Sequence, residues 1–385
     1  RDWSSDVCSS DLTTVEVGGG VEGGFRLRPT GAGGTAEERF ELAPRASFGV
    51  GRRNLWGKNR SINLFTRVSL RSRDVVLTGG GVRVEKPREG GVGFNEYRVL
   101  GTYREPTIFG TRADVLLTGI LDQAIRSSFN FLTREARAEV GLRAWRRYSL
   151  AEHYSFQETE LFDERFTESE KPLIDRVFPQ VRLSKFSSTL IRDSRNDVID
   201  PERGTFAILD AQLAARAIGS EVGLVRTFVQ GFAYHRLPSA RRTVLALGAR
   251  VGAAHGFPRD VPGVGVVQDL PASERFFAGG DTTVRGFTLD RLGTDATISP
   301  TGFPTGGNGL IVLNSELRMT LVGSLGGVVF LDSGNVFKQA SDINVGEMRG
   351  AAGFGMFYRS PVGPIRVDLG FKLDRREISP GRLER

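Results

Sequence analysis

Apolar and polar residues alternate along segment after segment of this chain, and this alternation limits the fold more than any other feature. It is clearest in residues 134–144, 243–253 and 365–373, where every second residue is apolar and the residues between are mainly charged, polar or glycine. A period of two is the signature of a β-strand with two different faces. No long segment has a helical period. The sequence therefore predicts an all-β chain.

Alternation alone does not say whether the apolar face lies in a soluble core or against lipid. Sandwich strands average about 5–6 residues, whereas these segments run for about nine to eleven, the length a tilted strand needs to cross a bilayer. No apolar run reaches the ~18 residues of a membrane helix. The mean hydropathy of −0.20 still suits a membrane barrel, because only alternate residues of each strand face lipid.

Two classes of connection separate the predicted strands. Short turns are predicted at 54–59, 106–111, 146–149, 197–204, 238–242, 322–326 and 360–364. Longer polar loops are predicted at 29–39, 72–96, 122–130, 158–178, 216–222, 255–308 and 338–349. Short turns at one end and long loops at the other are typical of an up-and-down outer-membrane barrel and not of a Greek-key sandwich.

This pattern gives about fifteen strands, from near Thr13 to near Leu373. Bacterial single-chain barrels have an even number of strands, so we expect one final strand to be missing from the sequence. We assign residues 13–385 to the barrel domain. Residues 1–12 differ in character from the rest, and we expect them to be a non-native leader.

Four motifs occur in order along the chain. They are FFAGGDTTVRGF at 276–287, RDSRNDVIDPERG at 192–204, FLDSGNVF at 330–337 and RSPVGPIRVDL at 359–369. Together they resemble the BamA/TamA superfamily of outer-membrane assembly factors, over nearly all of 13–385. The resemblance implies sixteen strands, and a loop at about 255–308 that folds back into the barrel lumen.

The VRGF motif comprises Val284, Arg285, Gly286 and Phe287. By resemblance, Arg285 pairs with acids on the twelfth and thirteenth strands, where Glu316 and Asp332 stand. A guanidinium keeps its charge in a lumen, and its planar fork suits carboxylates. Our hypothesis is that this pairing pins the loop to the inner wall.

The 192–204 motif supplies a second set of candidate residues, which we interpret as structural. Pro201 and Gly204 favour a type I turn. The charged residues of the motif are candidates for lumen charges or a turn brace. The set comprises Asp193, Arg195, Asp200, Pro201 and Gly204.

The resemblance implies an integral protein of the bacterial outer membrane that inserts or translocates other proteins. Its expected partners are the lipid bilayer, unfolded outer-membrane proteins and periplasmic or lipoprotein accessory subunits. Such assembly factors carry periplasmic POTRA repeats, which we do not expect within this sequence. The alternatives are a two-partner secretion transporter and the barrel anchor of a patatin-type lipase fusion.

Other function classes find little support in the sequence. There is no G-x-S-x-G nucleophile elbow, so we expect no catalytic residue. The one cysteine and three histidines lack the spacing of metal ligands, and we expect no metal and no cofactor. The net charge of +7 is scattered, without a basic run interleaved with aromatics. Nucleic-acid binding is therefore not expected.

Overall fold

The computed structural model describes residues 12–30, 35–70, 75–78, 81–84, 96–111, 113–145, 147–162, 172–238, 243–360, 363–379 and 382–383. The predicted leader, 1–12, lies outside these residues except for Leu12. All the structural statements below concern the described residues.

Fifteen strands form one antiparallel sheet in which each strand pairs with its neighbour in the chain. They are β1 (Thr13–Thr30), β2 (Thr35–Leu55), β3 (Arg60–Ser69), β4 (Glu96–Glu105), β5 (Ala113–Ile125), β6 (Asn130–Trp145), β7 (Tyr148–Phe162), β8 (Gln180–Asp193), β9 (Gly204–Ala214), β10 (Leu224–Arg236), β11 (Thr243–Gly256), β12 (Gly309–Val322), β13 (Leu325–Phe337), β14 (Arg349–Ser360) and β15 (Gly363–Lys372). The predicted up-and-down all-β architecture and its strand number are confirmed. Among the described residues, no pairing joins β1 to β15.

The apolar face of the sheet lies outside. Val367 and Phe371 on β15 are 67% and 51% exposed, and Leu247 on β11 is 46% exposed. A soluble protein would bury such a continuous face, whereas a membrane barrel turns it toward lipid. The alternate residues of the strands point inward. They include Glu316 on β12 and Asp332 on β13, which are both buried. This confirms the predicted orientation.

The two ends of the sheet differ as predicted. One end has short turns, which in such barrels face the periplasm. The other end carries two small hairpins and one short helix. The hairpins pair Val75–Thr78 with Gly81–Val84 and Arg259–Val261 with Gly265–Val267, and the helix α1 comprises Leu173–Val177. No helix among the described residues is long and apolar enough to cross a membrane.

Two of the predicted loops are shorter than expected. Strand β1 continues to Thr30 and β2 begins at Thr35, inside the predicted 29–39 loop, and β5 extends to Ile125 inside the predicted 122–130 loop. Polar residues at these strand ends broke the alternation in the sequence. They still pair in register because the ladder extends beyond the lipid-facing band into water.

The largest buried cluster lies inside the barrel and not between two sheets. Ala278, Val284 and Phe287 of the 257–308 loop pack against Val312 on β12 and Val336 on β13. The loop therefore supplies the apolar core that fills this part of the lumen.

Candidate functional site

Backbone pairing within the long loop connects segments that are distant in its sequence. The amides of Phe276 and Gly307 each donate to the carbonyl oxygen of the other, at 2.8 and 3.0 Å, and the Leu292 amide donates to the Ala278 oxygen at 2.8 Å. These bridges bring distant parts of the loop together. They hold the segment between them, which contains the VRGF motif, against β12 to β15.

Arg285 binds Asp332 in a bidentate arrangement. Its Nε donates to Oδ2 at 2.7 Å and its Nη2 donates to Oδ1 at 2.8 Å, while its backbone amide also donates to Oδ2 at 3.1 Å. Asp332, on β13, is fully buried. A planar fork on a carboxylate gives strong hydrogen bonds with a defined geometry. The structure thus brings together two of the residues singled out in the sequence.

Two further carboxylates share the remaining guanidinium nitrogen. Nη1 of Arg285 donates to Oε2 of Glu316 on β12 at 2.7 Å and to Oδ2 of Asp368 on β15 at 3.1 Å. Burial lowers the pKa of Arg285, but its hydrogen bonds with Asp332 and Glu316 outweigh that effect and raise the pKa above its ordinary value. Arg285 is therefore a permanent cation.

The ring of Phe330 on β13 lies under the same guanidinium, with Cζ of Arg285 3.6 Å from the ring centroid. This is a cation–π contact in a desolvated place. It explains why an aromatic residue occupies the polar face of β13 beside Asp332, a feature the alternation did not account for.

The cluster contains as many cations as anions. Arg366 on β15 donates to both oxygens of Glu316, at 2.9 and 2.7 Å, and Nε of Arg318 donates to Glu316 at 2.5 Å. The carboxylates of Glu316, Asp332 and Asp368 thus meet the guanidinium groups of Arg285, Arg318 and Arg366. Balanced pairing of this kind offsets the cost of taking the charges out of water.

Two glycines allow the motif to press against the wall. Gly286 has a φ of +88°, and a Cβ added to Gly370 on β15 would lie 2.7 Å from the amide nitrogen of Gly286. A side chain at either position would push the loop backbone off the strand. The remaining motif residues, Val284 and Phe287, are buried in the loop core, and Arg349 lies over the ring of Phe287 at 4.8 Å.

The 192–204 turn contains one local pair. Nη2 of Arg195 donates to Asp193 at 2.7 Å, and the guanidinium lies 4.4 Å from the ring centroid of Phe206. Gly204 has a φ of +98°, and a Cβ there would meet the Ser194 backbone. Pro201 is buried. The contacts of Asp193, Arg195 and Gly204 thus stay within the turn and the strands beside it.

Asp200 contacts residues outside its own turn, which the sequence did not suggest. Its carboxylate accepts from Nε of Arg359 on β14 at 2.5 Å and lies 4.0 Å from Nη1 of Arg318 on β12. The turn between β8 and β9 therefore contacts β14 and β12, which lie five and three strands beyond β9 in the sheet. Because Arg318 also binds Glu316, charges connect this turn to Arg285.

A second buried anchor holds the start of the long loop. Asp175 on α1 accepts from Nη2 of Arg275 at 2.8 Å and from the Ala272 amide at 3.0 Å, and Nζ of Lys185 on β8 donates to Glu274 at 2.9 Å. The side chains of both ion pairs are at most 10% exposed. No motif marked these residues. Isolated acidic and basic residues in the sequence gave no signal that they would be buried.

Asp368 and Arg366 were also missed, although both stand on the polar face of residues 365–373 and the alternation directs them inward.

Among the residues that the structure describes, no three His, Cys, Asp or Glu side chains are placed to hold a metal ion.

The fold and the site define a transmembrane β-barrel whose lumen holds an ion-paired loop from its long-loop end. The chain belongs to the Omp85 superfamily, whose domain profile matches residues 54–380. It is accordingly an integral outer-membrane protein. This confirms the family resemblance seen in the motifs.

Individual relatives agree with this assignment. The chain is 30% identical over 203 residues to the outer membrane protein assembly factor BamA of Nitratidesulfovibrio vulgaris, covering 50% of this chain and 24% of that protein. It is 25% identical over 218 residues to a SAM50-like protein of Schizosaccharomyces pombe, covering 52% of this chain and 44% of that protein. The chain thus spans less than half the length of these curated relatives.

The fold matches a solved barrel of the same kind. The crystal structure of BamA from Haemophilus ducreyi lacking POTRA domains 1–3 superposes with a TM-score of 0.71 at 15% identity, covering 97% of this chain and 68% of that one. CdiB from Acinetobacter baumannii superposes with a TM-score of 0.50 at 10% identity, covering 94% and 62%. At these identities the likeness concerns the fold alone.

Proposed function

We propose that this barrel inserts or translocates other proteins at the outer membrane, in the manner of a BamA/TamA-type assembly factor. The observation that supports this most is the pinned loop. Arg285 holds it inside the barrel with three carboxylates, and its apolar residues fill part of the lumen. A passive diffusion channel needs an open, wet lumen, so this arrangement disfavours a porin.

The proposed partners are the bilayer, unfolded outer-membrane proteins and periplasmic or lipoprotein accessory subunits. An incoming strand would pair with an open strand edge. We propose β1 for this role. It pairs with β2 over its whole length but carries Gly18, Gly19 and Gly20 in succession, so it contributes little side-chain packing.

A vesicle folding assay tests the proposal. Urea-unfolded outer-membrane proteins would be diluted into phospholipid vesicles that contain the folded barrel, and their folding would be followed by heat-dependent gel migration. We expect faster folding than in empty vesicles. Folding at the empty-vesicle rate, together with steady ion conductance through the barrel, would contradict an assembly role and favour a channel.

A two-partner secretion transporter is the second candidate, because a lumen-inserted loop with the same motif is expected there. It would handle one dedicated passenger instead of many clients. Acceleration limited to a single secreted protein, with no effect on unrelated barrels, would favour this alternative.

A further inference from the structure

The turn between β2 and β3 carries a cluster of positive charge. Residues 52–60 read RRNLWGKNR, with four cationic residues and no acid. Arg52, Arg53 and Lys58 are exposed. Within the part of the chain that the structure describes, no ion pair engages any of their charged groups. The guanidinium groups of Arg52 and Arg53 are therefore available to a partner outside the chain, and Lys58 is too, although it also interacts at longer range with Glu105.

The same turn presents a tryptophan to its surroundings. Trp56 is 74% exposed and has a φ of 55°, a backbone conformation rare for a bulky residue. The turn is held by Asn54, whose side chain accepts from the Asn59 amide at 3.0 Å and whose carbonyl oxygen accepts from the Gly57 amide at 3.1 Å. Strain of this kind persists only where the surrounding structure enforces it.

Neighbouring contacts place the turn on the lipid side of the barrel end. The Arg60 guanidinium lies 5.7 Å from the centroid of the Trp56 ring and pairs with Glu105 at 2.6 Å, and Tyr103 donates to the same carboxylate at 2.7 Å. Arg52 and Tyr103 both stand opposite Ile62 in the sheet. Ile62 belongs to the outer face and is 50% exposed.

We propose that this turn is a contact site for anionic phospholipid headgroups in the periplasmic leaflet. Tryptophan prefers the boundary between acyl chains and headgroups, so Trp56 sets the depth of the turn at that boundary. At this depth the guanidinium of Arg52 and the ammonium of Lys58 meet lipid phosphates. Each basic residue near an anionic surface adds attraction that salt screens. The site does not depend on whether the barrel inserts or exports proteins.

Quenching of Trp56 by brominated lipids tests the site. The full chain, with Trp3→Phe and Trp145→Phe so that only Trp56 emits, is folded into vesicles of phosphatidylethanolamine mixed with phosphatidylglycerol. Bromine is placed on the acyl chains of one lipid or the other. We expect brominated phosphatidylglycerol to quench more strongly than its share of the bilayer predicts, and the excess to decrease with added salt.

Matched variants separate the site from general charge. Arg52→Gln and Lys58→Gln should each lower the local enrichment of phosphatidylglycerol about fivefold, whereas Arg52→Lys should retain it. Arg203→Gln is the control, because Arg203 is an exposed arginine in another short turn with acids beside it. All variants should fold alike, since the substituted side chains are exposed.

Two outcomes would overturn the proposal. Equal quenching by both lipids would make Trp56 a membrane anchor without preference for anionic headgroups. Absence of quenching by either lipid would place the turn in the periplasm, where its charges would suit an acidic protein surface instead.

Discussion

Both the backbone amide and the guanidinium of Arg285 bind the carboxylate of Asp332 on β13. A side chain alone could swing on its rotamers, but the amide contact fixes the position of the loop backbone. The pair therefore fixes both the backbone and the side chain of the loop at this point of the wall.

This relationship predicts strong coupling between the two residues. Arg285→Ala or Asp332→Ala leaves a buried charge without its partner and should lower the free energy of unfolding by about 3–5 kcal/mol. The double variant should cost less than the sum, by about 0.5–3 kcal/mol. Urea unfolding in vesicles measures each value. Strict additivity would show that the loop is not held by this pair.

An exposed ion pair serves as the control for that cycle. Arg134 on β6 and Glu158 on β7 are 3.2 Å apart, with side chains 50% and 29% exposed. Arg134→Gln should change the free energy of unfolding by at most about 1 kcal/mol. A loss as large as that of Arg285→Ala would mean that charge removal destabilises the barrel generally.

The close approach of Gly286 to β15 gives a second prediction. Gly370→Ala places a methyl group 2.7 Å from the Gly286 amide nitrogen, so either the loop or the strand must shift. We expect a cost of about 1–3 kcal/mol. Gly119→Ala on β5, where a Cβ would meet nothing within 4 Å, should be neutral or slightly stabilising. Equal stability of the two variants would contradict a tight contact.

The Asp200 contacts predict communication across the short-turn end. Asp200→Asn removes the acid between Arg318 and Arg359, and we expect faster amide hydrogen exchange in residues 196–203. The change in the free energy of unfolding should stay within about 1 kcal/mol, because these side chains are partly exposed. In Glu202→Gln only the local pair with Arg236 is lost. If amide hydrogen exchange in residues 196–203 is the same in both variants, the contacts of Asp200 with Arg318 and Arg359 do not stabilise the turn.

The Asp175–Arg275 ion pair predicts that the start of the loop can lose order while the segment around Arg285 stays in place. Asp175→Asn leaves the guanidinium of Arg275 buried without its carboxylate, which should cost about 3–5 kcal/mol locally. We expect faster protease cleavage within 257–275 from the long-loop side. Cleavage near Arg285 should not change, because that segment has its own anchor. Simultaneous release of both segments would show that the loop opens as one unit.

The sequence by itself determined the all-β class, the fifteen strands, the outward direction of the apolar face and the two kinds of connection. The strands follow from a period of two, which is a local property that each strand carries on its own, and the outward direction of the apolar face followed from the strand length and the two kinds of connection. The VRGF motif also marked Arg285 as the residue to examine, and the polar face of β12 directed Glu316 inward.

Only the tertiary structure decided which charges meet. Asp175 and Arg275 are 100 residues apart in the chain, and Asp200 and Arg359 are 159 apart. No local pattern encodes such contacts, because they depend on how the sheet curves and where the loop enters it. Phe330 and Asp368 likewise gained their roles from the position of the Arg285 guanidinium, which the folded loop alone sets.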